Sequence, residues 1–199
     1  YDRLEAWTRS YFPMLENDLT YRWSGQVMEP VDSLGYMGKN PGDDNIYIIT
    51  GDSGNGMTHT TIGAMIICDS IMGIKNKYED LYNPSRITLK IAVDFAKEVC
   101  NMASQYVDWI TKSDLQNTAD LPAGEGGVIS SGLKKIAVYR DYDNSLKPFS
   151  AVCPHLGCIV QWNTDEKSFD CPCHGSRFDN DGSVLNGPAQ TDLSKIHIK

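Results

Sequence analysis

An α+β chain in two unequal parts is predicted by three observations. Apolar residues mark helical segments in residues 1–112, with a short β-rich stretch among them, the pattern changes to strand-like alternation from Val128, and a Cys- and His-rich stretch sits inside the strand-rich part. The first part is read as helices with a small antiparallel sheet, and the part from 128 to 199 as all-β. Residues 113–127, polar and ending PAGEGG, read as the linker. The chain has 199 residues, 41% hydrophobic and 22% charged, which argues against disorder and allows real cores. The net charge is −8 and no Lys/Arg cluster is present, which argues against nucleic acid and anionic membrane surfaces as partners. The longest apolar stretch, Ile62 to Ile74, contains Asp69 and is shorter than the ~20 residues a membrane span needs.

In chain order, Asp2 to Ser10 reads as a short helix with Leu4, Trp7 and Tyr11 on one face, stopped by Pro13. Leu19 to Glu29 carries strand-forming residues around Gly25, and Gly35 to Gly38 is a second short strand candidate before the turn NPGDDN. Ile46 to Thr50 is an apolar run of strand length, followed by GDSGNG at 51–56. Met57 to Gly73, apolar almost all round, predicts a helix buried on most faces. Strand, glycine loop and helix in that order can cradle an anionic or dipolar ligand on free helix N–H groups. GDSGNG is neither GxGxxG nor GxxxxGK[ST], so a plain tight turn stays equally open.

Asn83 and Pro84 read as an N-cap and first helical residue. Ile87, Ile91, Phe95, Val99, Met102, Tyr106 and Ile110 then mark one face of a long amphipathic helix, with Lys90, Asp94, Lys97, Asn101, Gln105 and Asp108 opposite. Cys68 and Cys100, in helical segments, are expected to be buried, inert thiols. Beyond Val128, Ile136 and Val138 alternate with Ala137 and Tyr139, DYDNS is a turn, and Phe149 to Val152 leads into the Cys-rich stretch. Asn180-Asp181-Gly182 is a hairpin turn and the tail IHIK a last short strand, with His197 a surface or packing histidine.

The chemistry is concentrated between Cys153 and His174, with four of the six cysteines and two of the four histidines. Cys153 and His155 stand two apart on one loop and Cys171 and His174 three apart on another, with a short hairpin between the loops. Two thiolates and two imidazoles suit tetrahedral zinc, or a two-iron cluster with thiolates on one iron and imidazoles on the other. Spacing also allows a cluster held by four Cys. Cys158 and Cys173 leave one further thiol on each loop, where a disulfide can clip the loops together.

CPHLGC and CPCHGSRFD resemble the two cluster-binding loops of Rieske [2Fe–2S] domains, and NGPA at 186–189 resembles the proline loop that covers the cluster in that family. The resemblance implies Cys153 and Cys171 on one iron, His155 and His174 on the other, and a Cys158–Cys173 disulfide. It implies electron exchange at the His edge, and Pro188 over the cluster. Ser176 is placed to donate to a cluster sulfur, which raises the potential. High-potential respiratory members carry Tyr where this chain has Phe178, so the expected potential lies below theirs and above that of Rieske ferredoxins.

YRWSGQ at 21–26, TGDSGNGMTH at 50–59 and LYNPSR at 81–86 resemble the C-terminal end of FAD-dependent oxidoreductases of the D-amino-acid/glycine oxidase type. That resemblance marks Gly51, Asp52, Gly54, Asn55, Gly56, Met57 and Thr58 as flavin-adjacent, with an amine or amino acid as substrate. No GxGxxG follows a first strand, so the chain is expected to be the C-terminal piece of a longer flavoprotein, holding FAD poorly by itself. The combination implies electron transfer to a redox partner protein or an intramolecular flavin, in the cytoplasm, with a homo-oligomer covering exposed faces. A zinc-stabilised interaction domain is the competing class. A Rieske oxygenase is rejected, because its mononuclear iron needs two His and a carboxylate, and only His59 and His197 remain, on different parts.

Overall fold

The computed structural model describes residues 1–15, 19–86, 89–111, 113, 115 and 117–197. The N-terminal part contains α1 (Asp2–Tyr11), the hairpin β1 (Tyr36–Lys39) and β2 (Tyr47–Thr50), α2 (Gly56–Ile71), the single turn α3 (Glu79–Tyr82) and α4 (Leu89–Gln105). A 3-10 turn, Tyr106–Trp109, follows α4. The β part contains β3 (Glu125–Ser131), β4 (Lys134–Arg140), β5 (Leu146–Ser150), β6 (Gln161–Asn163), β7 (Ser168–Asp170), β8 (Arg177–Phe178) and β9 (Val184–Asn186). These form two antiparallel sheets, ordered β3-β4-β5 and β6-β7-β8-β9.

The N-terminal hairpin pairs Met37 with Ile49, and Met37 is fully buried. Helix α2 lies close on this hairpin because residue 63 is glycine: a Cβ there would stand 2.7 Å from Ile49 Cδ1. An ion pair secures the ends. Arg86 Nε and Nη2 donate to the two carboxylate oxygens of Asp32 at 2.8 and 2.9 Å, Nη1 donates to the Gly35 carbonyl at 2.9 Å, and the guanidinium lies 3.9 Å over the Tyr36 ring. Such a planar, bidentate contact is one that lysine cannot reproduce.

Several expectations are corrected here. Leu19–Glu29 forms no strand; it runs without a ladder partner, with Tyr21 and Trp23 exposed, and touches the β part through side chains. Among the described residues of α2, Gly63 and Ile66 are the buried ones, whereas Met57 is 91% exposed. The all-round apolar pattern therefore finds only one covering surface in this chain. Cys68 on α2 and Cys100 on α4 are exposed rather than buried.

Asn83 accepts from the Ser85 amide at 2.7 Å and closes a turn through Asn83–Arg86, so Pro84 belongs to that turn rather than to a helix start. On the expected core face of the long helix, Phe95 is exposed and Ile110 lies beyond the helix, 86% exposed. Ile87 lies outside the described residues, as do the side chains of Lys90, Ile91 and Asp94 and the last two residues of IHIK.

The stretch 113–127 is less of a linker than its composition suggests. Leu115 bridges to Ile129, Leu121 is buried against Ile136 and Val138, and Glu125–Gly127 opens β3. Its glycines serve packing: Trp162 lies against Gly126 and Leu115 against Gly127, leaving no room for a Cβ at either. Trp162 also donates to Glu125 at 2.9 Å and packs on Phe169 with ring centroids 4.8 Å apart, joining the two sheets. Strand β4 is buried along both faces, with Ala137 and Tyr139 in the larger core and Ile136 and Val138 in the smaller one. Phe149, Phe169 and Phe178 fill the space under the Cys-rich loops.

Replacing Asp32 with Asn is expected to cost about 1.5–3 kcal/mol, the worth of hydrogen bonds to a charged partner. Faster amide exchange in β1 and β2 with unchanged β3–β5 is the readout. Hydrogen bonding to Arg86 holds the Asp32 carboxyl below its ordinary 3.8, so this stabilisation is complete above that pH and is lost as pH falls through the lowered value.

Candidate metal centre

The two Cys-rich loops share one backbone design. In the first, the Cys153 amide donates to the Cys158 carbonyl at 2.8 Å and the Gly157 amide returns to the Cys153 carbonyl at 2.9 Å. In the second, the Cys171 amide donates to the Ser176 carbonyl at 2.8 Å and the Gly175 amide to the Cys171 carbonyl at 2.9 Å. Both depend on a glycine in the left-handed region, φ 81° at Gly157 and 74° at Gly175. This makes Cys-Pro-x-x-Gly-x an internal repeat at 153–158 and 171–176, a signal present in the sequence and missed when only metal-ligand spacings were compared.

The first loop leaves β5 and returns to β6 through a Val152–Ile159 bridge; the second lies between β7 and β8. Cys158 and Cys173 form a disulfide, with Cα atoms 6.4 Å apart, and bind one loop to the other. Cys153 and Cys171 are unbridged and buried, 1% and 3% exposed. His155 and His174 meet edge to face, centroids 4.8 Å apart and planes at 88°. His174 is exposed, while His155 is half-buried and its Nδ1 is enclosed without a hydrogen-bond partner.

This donor set fits a metal group. An enclosed imidazole nitrogen without a partner is costly unless something coordinates it. The hydrogen bond from Cys171 lowers the Cys153 thiol to about 6, with the Ser176 hydroxyl contributing, while the same bond and burial raise Cys171. Burial, then the charge of His155, lowers His174. The shifts of Cys153 and His174 run toward the deprotonated forms that metals bind.

The geometry also bears on the number of metals. Ligands of one tetrahedral zinc lie about 3.3–3.8 Å apart. Among the described residues, the group of three donors lying within 4.8 Å of one another is Cys158, Cys171 and Cys173, two of which are locked in the disulfide. No three of the four candidate ligands form such a group; Cys153 and Cys171 lie in one buried cluster, and the His155 and His174 rings meet edge to face.

Ser176 is fully buried and its Oγ accepts from the Ala189 amide at 2.9 Å, tying the proline loop to the second metal loop. Pro188 is exposed beside it, after a cis Gly187–Pro188 peptide. Phe178 is fully buried in the core that contains Cys153 and Cys171, and its ring offers no donor. The glycine turn lies in the N-terminal part. Gly51 has φ 69° and packs on Pro30, the Asp52 carboxylate accepts from the Gly54 amide at 3.2 Å, and Asn55 precedes α2 without a side-chain cap. Gly56, Met57 and Thr58 start α2, and a Cβ at Gly56 would stand 2.8 Å from Asp52 Oδ2. That carboxylate therefore already occupies part of the helix N-terminus. Sequence reasoning missed that Gln26, Tyr106 and Trp109 reach the two Cys-rich loops from the N-terminal part, a role that neither the motif YRWSGQ nor the helical period signals.

Residues 111–197 match the Rieske [2Fe-2S] domain family model and residues 1–70 match that of the FAD dependent oxidoreductases. The Bacillus subtilis (strain 168) Rieske 2Fe-2S iron-sulfur protein YhfW is 31% identical over 185 residues, covering 90% of this chain and 36% of that protein. The cytochrome b6-f complex iron-sulfur subunit 1 of the Cyanophora paradoxa cyanelle is 45% identical over 74 residues, covering 35% of this chain and 31% of that subunit. The chain thus spans about a third of the curated relatives it matches. Among solved structures, the plasma membrane Rieske protein PetC3 of Synechocystis PCC 6803 aligns with 31% identity and a TM-score of 0.36, covering 43% of this chain and 86% of that one.

Matches of this kind define a fusion of flavoprotein and iron–sulfur sequence. By these matches the chain carries an FAD-dependent oxidoreductase region at residues 1–70 followed by a Rieske [2Fe-2S] domain at residues 111–197. The cofactors that go with these families are a [2Fe–2S] cluster and, in the intact protein, FAD. No described helix is long and apolar enough to cross a membrane.

Alanine at Gly157 is expected to cost about 1–2 kcal/mol of β-part stability through left-handed backbone strain alone, since its Cβ would meet open space. Alanine at Gly175 costs more, because the Gln26 amide lies against that position. Thermal melting of both variants checks this, and equal losses would contradict the close approach of Gln26.

Proposed function

We propose that Cys153 and Cys171 hold one iron of a [2Fe–2S] cluster and His155 and His174 the other. The observation that carries this reading is the convergence of four donors, two buried sulfurs with one half-buried and one exposed imidazole, on two loops of the same backbone design clipped by the Cys158–Cys173 disulfide. When bound, the cluster supplies one-electron transfer and no bond chemistry. The residues around it set its poise. Ser176, held by the Ala189 amide, has its hydroxyl proton free for a sulfur; Phe178 gives none; Pro188 shields the site.

The rest of the reading concerns the intact protein. In the intact protein FAD would supply two-electron oxidation of an amine or amino acid and the cluster one-electron transfer to an acceptor, with His174 at the exposed edge of the loops. Gly51, Asp52, Gly54, Asn55, Gly56, Met57 and Thr58 are proposed to face that flavin. The match of residues 1–70 to FAD-dependent oxidoreductases supports this side. A redox partner protein at the His edge, a cytoplasmic location and self-association through the exposed α2 face complete the proposal.

Equal iron and acid-labile sulfide, two of each per chain, are expected on elemental analysis. Zinc without iron in a colourless preparation would end this reading in favour of a structural metal domain. Phe178→Tyr is expected to raise the midpoint potential by roughly 20–60 mV, one hydrogen bond to sulfur at 59 mV per tenfold for one electron. Voltammetry showing no upward shift would remove Phe178 from the argument.

A further inference from the structure

The first metal loop is gripped from outside its own sheet. Tyr106 and Trp109 stand on the 3-10 turn after α4. The Tyr106 hydroxyl donates to the Leu156 carbonyl, and Trp109 Nε1 donates to the Gly157 carbonyl at 3.0 Å. Those carbonyls belong to the two residues that follow His155. The loop's own bonds close its base, through Cys153 and Cys158, and leave its apex free. Leu156 is 51% exposed and nothing packs within 4 Å of a Cβ built at Gly157, so the two aromatic donors hold an apex with little packing of its own. On the opposite side Gln26 lies against Gly175 and its Oε1 accepts from Asn186 at 2.6 Å. Farther from the loops, Asp108 accepts from Gln161 at 3.1 Å in the same interface.

We infer that Tyr106 and Trp109 are positioning residues of the metal centre, fixing the first loop so that His155 presents its enclosed Nδ1 to the metal. Two donors on adjacent carbonyls fix two successive peptide planes, and with them the direction in which the preceding side chain leaves the backbone. His155 meets His174 edge to face with centroids 4.8 Å apart, so a change in the direction of the His155 side chain alters that contact. Part of the metal site's support is therefore built by residues before the β sheets. This inference rests on the reading of His155 as a ligand.

The test uses the full chain with its cluster and the variants Tyr106→Phe, Trp109→Phe and the double, with Gln161→Leu as a control in the same interface. Both rings are partly exposed, and each variant removes a donor while leaving a ring. Iron content should be kept. In the double variant, amide exchange at Leu156–Cys158 should accelerate about tenfold, as expected for the loss of two hydrogen bonds. The g-values and midpoint potential of the reduced centre should move, while the control leaves all three readouts unchanged. A double variant with unaltered exchange, g-values and potential overturns the inference, as does a control that changes them equally. Absence of paired iron in the parent chain would defeat the ligand reading instead, and the exchange comparison would still decide whether the aromatic pair holds the loop.

Discussion

The architecture depends on bringing two six-residue loops face to face and keeping them there. Each loop is closed by the same two backbone hydrogen bonds around a left-handed glycine, and the Cys158–Cys173 bond joins them. Closing a loop between residues 15 apart removes unfolded-state freedom worth about 3 kcal/mol. Its larger consequence is positional, because four donors on separate loops converge only if the loops cannot part. Phe169 and Phe178 beneath, and Trp162 between the sheets, supply the rigid floor.

Burial and exposure then divide the labour among the donors. The sulfurs lie inside, against the aromatic core, where low polarity strengthens each hydrogen bond they receive. The imidazoles lie outward, with His174 in contact with solvent. Under the ligation proposed above, electrons would be exchanged at the nitrogen edge while the buried sulfur edge stays dry. Ser176 belongs to the dry side, and its bond from Ala189 makes the proline loop part of the same unit. The N-terminal part contributes on two flanks, through Gln26 and through the Tyr106–Trp109 pair.

Much of the site was legible because its chemistry is local. Cys153, His155, Cys171 and His174 lie in short motifs, and the disulfide partners and Ser176 lie within them. The fold was legible where the apolar pattern meets partners within the chain, as in β4, covered on both faces; α1 forms where its period predicts, but Leu4, Trp7 and Tyr11 on its apolar face are exposed. It was less so where burial depends on a partner: the apolar pattern of α2 is that of a buried helix, yet the described residues cover only the side at Gly63 and Ile66. Leu19–Glu29 has strand composition, but a strand needs a neighbouring edge and none is offered there. Gly126 and Gly127 read as linker because glycine's use in close packing, here under Trp162 and Leu115, leaves no local trace. The hydrogen bonds of Trp109 and Tyr106 to a loop about fifty residues later have no sequence signature at all.

Nitrogen hyperfine spectroscopy of the reduced, full-length chain tests the central claim most directly. Two strongly coupled nitrogens on a paramagnetic iron pair are the predicted result, one each from His155 and His174. A spectrum with no directly bound nitrogen, as four sulfur ligands would give, or a protein with no paramagnetic iron pair, would contradict it.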